Sequence, residues 1–264
     1  MCLILLAHRA HPDYRLVVAA NRDEWFRRPT APAGFWPDAP EVFGGRDLEQ
    51  KGTWLGITRG GRFAALTNYR DPTNHRADAP SRGHLVSGFL SVATTPEAYV
   101  AALAPDAARY NGFGLLVGDG DSLCFYSNRE GVIRALAPGI YGLSNHLLDE
   151  PWPKVRRGKA QLSDLLEKGV DEERLLRLLD DTDIADDHEL PATGVGLERE
   201  RQLSAMRIHA GGYGTRSSTA LLVREDGDVR FVERSFSEDG MEIGIVRERF
   251  RAYVPWPRAE SRLR

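Results

Sequence analysis

The stretch MCLILLAHRAHPDYRLVVAANRDE, residues 1–24, decides the fold of this chain. Residues 2–7 form an apolar run with the length of a buried strand, and residues 15–20 are a second run of strand-forming residues. The sequence His11-Pro12-Asp13 between them is a turn signal. Antiparallel pairing of the two runs sets Cys2 opposite Asn21, give or take one residue. The hairpin therefore brings a thiol beside the polar residues that follow its second strand.

Cys2 is interpreted in two ways. Aminopeptidase removes Met1 when the second residue is small, and the α-amine then exposed titrates far below a lysine. This amine is able to act as the general base for the thiol of the same residue, which makes Cys2 an N-terminal nucleophile. The alternative is a small apolar residue that opens a buried strand. The cluster Asn21-Arg22-Asp23-Glu24 favours the interpretation of Cys2 as a nucleophile, because a hairpin that only fills the core needs no such polar group. The alternative interpretation of this cluster is a solvated turn.

Composition limits the classes of protein to consider. A hydrophobic content of 42% over 264 residues is ordinary for a globular chain with a core, either as one large domain or as two small ones. The net charge of -3 argues against a nucleic-acid binder. Cys2 and Cys124 are the only cysteines, which excludes a disulfide framework and a cysteine-rich zinc site and predicts a cytoplasmic location. The sequence predicts no signal peptide and no membrane-spanning stretch.

Hydrophobic periodicity predicts the remaining elements. A hairpin is expected around Gly60-Gly61, with Asn68 just past its second strand, and a short strand is expected to lead into Asn145. Residues 25–39 are predicted to be an irregular loop, and residues 43–47 a polar loop. Further strands are predicted over residues 113–117, 123–126, 132–136, 219–224 and 229–236. Helices are predicted over residues 84–93, 96–103, 153–168 and 171–179, and the charges of the last two are predicted to form solvated faces.

Two polar segments invite a functional interpretation. The acidic run 180–189 is read as a solvated loop or a mobile border of an active site rather than as a metal site. The Gly-rich segment 207–218 lacks the helix that a phosphate-binding loop requires, since a strand is expected next. The sequence therefore predicts no metal and no nucleotide. From about residue 253 a loosely held tail is expected.

The order of elements predicts the architecture. Strands, two helices, strands, two helices and strands follow one another, and the hairpins are antiparallel, so a parallel doubly wound sheet is excluded. Two stacked antiparallel sheets with helices outside would bury both faces of each sheet. The predicted class is therefore α+β.

Several motifs together resemble one family. The chain is similar to the NRDE family, also called the transport and Golgi organisation protein 2 family. The resemblance covers nearly the whole chain and is looser after Asp149. The residues that carry it are Met1-Cys2-Leu3-Ile4, Ala19-Ala20-Asn21-Arg22-Asp23-Glu24, Gly44-Gly45-Arg46-Asp47, Gly52-Thr53-Trp54-Leu55-Gly56, Thr67-Asn68-Tyr69-Arg70 and Gly142-Leu143-Ser144-Asn145.

The resemblance extends to the N-terminal nucleophile hydrolases of the cysteine branch, such as penicillin V acylase, bile salt hydrolase and acid ceramidase. It implies a single domain over residues 1–264 with a four-layer αββα sandwich. It also implies that Arg22 and Asp23 hold the thiol and the amine of Cys2, although these two residues adjoin here and are separated in those enzymes. Asn68 or Asn145 matches the oxyanion-binding asparagine, and Arg216 matches a late arginine near the thiol. The residues assigned to the substrate are Asn21, Glu24, Trp25, Arg46, Trp54, Tyr69 and Arg70.

The implied activity is cleavage or transfer of a non-peptide N-acyl group by the N-terminal cysteine, without a cofactor. The alternative is a carrier of haem, acyl-lipid or acyl-CoA, in which Cys2 does no chemistry. Arginine side chains at position 22, 46 or 70 would then meet propionates or phosphates. The carrier's apolar walls would be Trp25, Phe26, Phe35, Trp36 and Trp54. An inert scaffold with a hydrolase fold is the third possibility, and the sequence leaves the oligomeric state open.

Overall fold

Two antiparallel sheets form the centre of the computed structural model, which describes residues 2–253. The first sheet has six strands and the second has seven. The strands are β1 (Cys2–His8), β2 (Tyr14–Trp25), β3 (Thr30–Trp36), β4 (Ala39–Asp47), β5 (Leu55–Thr58), β6 (Phe63–Asn68), β7 (Phe113–Gly118), β8 (Leu123–Ser127), β9 (Ile133–Ala135), β10 (Gly139–Leu143), β11 (Tyr213–Arg224), β12 (Asp228–Phe236) and β13 (Glu242–Arg251). The helices within this range are α1 (Gly83–Ser91), α2 (Pro96–Leu103), α3 (Pro153–Lys168), α4 (Glu172–Leu178) and α5 (Leu197–Ser204).

Strand order places the N-terminal hairpin at the middle of the first sheet. That sheet runs β10-β1-β2-β11-β12-β13, and the second runs β3-β4-β5-β6-β7-β8-β9. Both β1 and β2 have a strand on each side over most of their length, and only the start of β1 and the end of β2 are paired on one side. The expected tail and the expected removal of Met1 concern residues outside the described range.

The apolar run of β1 is explained by burial on both of its faces. Ile4 and Leu6 point into a core between the two sheets, where they meet Phe43 of the second sheet. Leu3 and Leu5 point the other way, into a second core under α3 and α4. Successive side chains of a strand face opposite sides, so a strand covered on both faces is apolar throughout.

A third core completes the layers. The outer face of the seven-stranded sheet packs on α1 and α2 through a cluster that includes Phe89 and Val100. The resulting order is helices, sheet, sheet, helices, and the predicted α+β four-layer sandwich is confirmed.

The register of the first hairpin pairs Cys2 with Arg22, one residue from the predicted partner Asn21. Strand β2 continues to Trp25 because β11 pairs with it on the other side. The interpretation of residues 21–24 as a solvated turn is therefore wrong. Asn21, Arg22 and Asp23 are 1%, 5% and 2% exposed.

Two predicted loops are strands instead. Residues 25–39 include β3, an edge strand of the second sheet, and Pro32 lies at a break in its pairing with β4, where a proline is tolerated. Residues 43–47 end β4, and their glycines allow close approach. A Cβ on Gly44 would lie 2.6 Å from the carbonyl oxygen of Leu55, and one on Gly45 would lie 2.2 Å from the ring of Trp54.

The third correction concerns the C-terminal part of the chain. The segment up to Ser218 was predicted to be a Gly-rich loop, but strand β11 begins within it, at Tyr213. It is a strand there because it pairs with the C-terminal end of β2. A register shift between Thr215 and Ser217 marks a bulge in that pairing. Helix α5 and strand β13 were not expected from the sequence.

Candidate functional site

A polar cavity of about 290 Å³ lies where β1 begins and β2 ends. Six residues assigned to the site from sequence line it: Cys2, Arg22, Asp23, Glu24, Trp54 and Asn68. Other lining residues that carry charge or polar groups, and for which the sequence predicted no role, are Arg28, Asp47, Glu49, Gln50, Thr53, His75, Arg76, Ser81, Arg82 and Asn111. The structure thus gathers a thiol, an amide and several charges at one end of the central hairpin.

Cys2 is held at the start of β1 with its side chain partly accessible. Its carbonyl oxygen accepts a hydrogen bond from the hydroxyl of Ser144 at 3.2 Å. Burial raises the pKa of the Cys2 thiol, and the nearby charge of Asp23 raises it further. The resting side chain is therefore a thiol at neutral pH, and a reaction at sulfur requires a base.

Arg22 lines the cavity with its guanidinium stacked on the ring of Trp54. The guanidinium carbon lies 4.1 Å from the centre of that ring, and Nη1 donates to Thr30 Oγ1 at 3.0 Å. Burial lowers the pKa of Arg22, although the charge of Glu24 opposes that effect. The stacking and the hydrogen bond hold the positive charge beside the thiol.

Asp23 is buried at the same end of β2. Its Oδ1 accepts from Thr215 Oγ1 at 2.7 Å, and its carbonyl accepts from the hydroxyl of Tyr213 at 3.1 Å. Burial raises the pKa of the Asp23 carboxyl, while the charge of Lys154 lowers it. The bulged start of β11 thus fixes this carboxylate in the lining of the cavity that also contains Cys2.

Lys154 lies behind Asp23 in the first turn of α3, where the sequence predicted a solvated charge. It is 1% exposed, and its Nζ donates to the carbonyl of Leu203 at 2.9 Å. Burial lowers its pKa to about 8. Arg70 and Glu200 form a buried ion pair nearby, so Asp23 belongs to a group of four buried charges of both signs.

The two asparagines occupy different positions. Asn68 lines the cavity at the end of β6. Asn145 is fully buried, and its Nδ2 donates to the carbonyl of Asn68 at 2.9 Å. The carbonyl of Asn145 accepts from the backbone N–H of Arg70 at 2.8 Å. Asn145 therefore holds the end of β6 in place, and the side chain of Asn68 is the amide that faces the cavity.

Other residues assigned from sequence serve the frame around the cavity. Asn21 donates to the carbonyls of Leu179 and Met206 at 3.0 and 2.9 Å and accepts from Ser218 at 2.6 Å. Arg216 donates to three carbonyls, of Trp25, Phe26 and Arg28. Both side chains therefore bind backbone of the surrounding segments.

The remaining assigned residues point elsewhere. Trp25 is 45% exposed and contacts Tyr213. Arg46 pairs with Asp38 at 2.7 Å. The hydroxyl of Tyr69 hydrogen-bonds His146 Nε2 at 2.7 Å. Within the described residues, none of Trp25, Arg46 and Tyr69 lines the cavity.

Residues 2–253 contain no group of three or more histidine, cysteine or acidic side chains placed to hold a metal ion. In the same range, no helix has the length and the apolar character needed to cross a bilayer.

Comparison with solved structures supports the fold. The C2A mutant of a conjugated bile acid hydrolase from Clostridium perfringens superposes with a TM-score of 0.52 at 8% sequence identity. The match covers 97% of this chain and 98% of that one, so the chain has a fold like that of the N-terminal nucleophile hydrolases.

Relatives in sequence identify the family. The chain is 40% identical over 263 residues to a Bos taurus protein named "Transport and Golgi organization protein 2 homolog", covering 89% of this chain and 93% of the relative. The Homo sapiens protein of that name is 35% identical over 260 residues, covering 90% and 94%. The family model described as Transport and Golgi organisation 2 matches residues 1–238. The chain therefore belongs to the Transport and Golgi organisation 2 family.

Proposed function

We propose that the chain is an N-terminal cysteine amidohydrolase that acts on a small N-acyl amide. The observation that carries the proposal is that Cys2, Arg22, Asp23 and Asn68 line one cavity at the first residues of a central strand. Such a site combines a nucleophile, charges that hold it and a hydrogen-bond donor for the reacting carbonyl.

The first step is attack by sulfur. After removal of Met1, the α-amine of Cys2 takes the thiol proton, and the thiolate adds to the amide carbonyl. Asp23 holds the ammonium that forms, and Arg22 opposes the developing negative charge on sulfur. The C–N bond then breaks, the proton passes to the leaving amine, and an acyl thioester remains on Cys2. Water releases the acid, or a second amine takes the acyl group.

The oxyanion of the tetrahedral intermediate requires donors in a dry site. Asn68 supplies a side-chain amide at the cavity surface, and Asn145 acts as the positioning residue through its bond to the Asn68 carbonyl. The resemblance left the choice between the two asparagines open, and their contacts favour this division of roles.

The carrier hypothesis finds less support at this cavity. Of its five aromatic wall residues, only Trp54 lines the cavity, and the lining is mostly polar. A haem or a long acyl chain needs a larger apolar surface than this.

The cytoplasmic location of the protein stays a prediction from its cysteine usage.

The test is mass spectrometry of the intact protein after exposure to a panel of N-acyl amides. The wild-type chain is expected to lack Met1 and to gain one acyl group, which Cys2→Ala abolishes. Cys124→Ala is the matched control, since Cys124 is buried in the core under α1 and α2 and should leave the adduct unchanged. Retention of Met1 on every molecule, or an adduct in Cys2→Ala, contradicts the proposal.

A further inference from the structure

The N-terminus of α1 opens into the cavity. Ser81, Arg82 and Gly83 line it, and the helix begins at Gly83. No side chain caps this end, and its first turn carries no acidic residue. The N–H groups of His84 and Leu85 already donate to the carbonyls of Ser81 and Arg82, so this helix start favours an anion through the positive end of its dipole.

Two arginines converge on the same space. Arg22 is 5% exposed, and Arg82 is half-buried at the helix start. Each donates one hydrogen bond to a neutral oxygen: Arg22 to Thr30 and Arg82 to the Gly112 carbonyl at 2.9 Å. Within residues 2–253 neither forms a salt bridge. The charge of Glu24 acts on both arginines but forms an ion pair with neither. A desolvated charge without an ion pair is costly, so two such groups at one cavity favour the binding of an anion.

The acidic residues of the cavity are engaged elsewhere. Arg28 pairs with Asp47 at 2.7 Å and with Glu49 at 3.3 Å. Glu24 accepts from the backbone N–H of Trp25 at 2.9 Å and lies 4.0 Å from Arg28. Asp23 faces Lys154 behind the cavity. Arg76, at the exposed rim, donates to the carbonyls of Ala108 and Arg109. The positive groups that remain inside the cavity are Arg22, Arg82 and the helix end.

We propose that Arg82, Arg22 and the N-terminus of α1 form an oxoanion subsite that binds a carboxylate or phosphate carried by the substrate. The ligand class is then an N-acyl amide with an anionic group on one side of the scissile bond. Its place beside Cys2 rests on the proposed function, but binding of the anion does not require turnover.

Binding is measured by calorimetry on the Cys2→Ala protein, which has neither turnover nor a thiolate to compete for the arginines. The probes are three amides of similar size. Butyryl ethanolamide is neutral, butyrylglycine carries a carboxylate on the amine side, and succinic acid monoethanolamide carries one on the acyl side. Inorganic phosphate is titrated as well, because a free oxoanion is the other source of the same chemistry.

One of the carboxylate probes is expected to bind at least tenfold more tightly than butyryl ethanolamide. Arg82→Gln removes this preference. The control Arg134→Gln keeps it, because Arg134 is an exposed residue of β9 that does not line the cavity and the change in net charge is the same. Equal affinity for all three amides overturns the proposal, as does an equal loss for neutral and anionic probes in Arg82→Gln. Phosphate binding through Arg82 with no preference between the amides also overturns it.

Failure of this subsite and failure of the proposed function are separable. Acylation of Cys2 by butyryl ethanolamide with no anion preference would uphold the amidohydrolase and overturn the subsite. Anion preference in Cys2→Ala without acylation of the wild-type chain would do the reverse.

Discussion

Glu233 offers a quantitative test of the buried polar groups around the site. It is 2% exposed in β12, and its Oε1 accepts the backbone N–H of Ala33 in β3 at 2.7 Å, across the interface between the sheets. Burial raises its pKa from 4.5 to about 7, against the opposing effects of that hydrogen bond and of Arg22. The folded state therefore binds this proton more tightly than the unfolded chain does.

The sign of the effect on stability follows from this difference. The contribution of Glu233 is fully present below pH 4.5 and is lost as the pH rises through about 7. At pH 8 the ionised carboxylate costs about 3 kcal/mol of stability, and at pH 5 about 1 kcal/mol. Glu233→Gln keeps an acceptor for Ala33 and cannot ionise. Its stability relative to wild type is expected to grow by about 2 kcal/mol from pH 5 to pH 8.

Urea unfolding of both proteins at pH 5, 6, 7 and 8 measures this difference. The matched control is Glu242→Gln in β13, where the side chain is exposed, and its difference from wild type should stay the same across the series. Parallel pH curves for wild type and Glu233→Gln would refute the reasoning, since the carboxylate would then be solvated or neutralised in the folded state.

Three further changes test the site and its frame. Asn68→Ala should slow acylation of Cys2 about 100-fold with folding unchanged, measured by time-resolved mass spectrometry; a loss below fivefold argues against an oxyanion role. Lys154→Met should raise the pKa of Asp23 and shift the acidic limb of the acylation pH profile to higher pH. If that limb does not shift, Lys154 does not influence the reaction. Gly44→Ala should cost about 1–3 kcal/mol in urea unfolding, because its Cβ meets the Leu55 carbonyl at 2.6 Å. Gly34→Ala is its control, because a Cβ at Gly34 has no atom within 4 Å. Equal losses of stability in the two variants would show that the close contact at Gly44 is not the cause.

The central hairpin was predictable because its signals are local. Strand length, the turn at His11-Pro12 and the apolar run over residues 2–7 of β1 all act within 24 residues. The same locality explains the predicted hairpin around Gly60-Gly61 and the helices α3 and α4. Edge strand β3 was missed because prolines there suppress the usual strand pattern, and α5 was missed because most of its residues are polar.

The sequence by itself determined the layers of the fold, the family and the position of Cys2 beside residues 21–24, since these depend on near neighbours and on a motif of specific spacing. Only the tertiary structure decided which charges face the cavity. Lys154 and Arg82 look like ordinary surface residues in the sequence, and Arg216 looks like a site residue. Their burial and their partners depend on contacts between segments far apart in the chain. The tertiary fold brings the starts of α1, α3 and β11 to the end of β2, and this sets the local charge and the access of water.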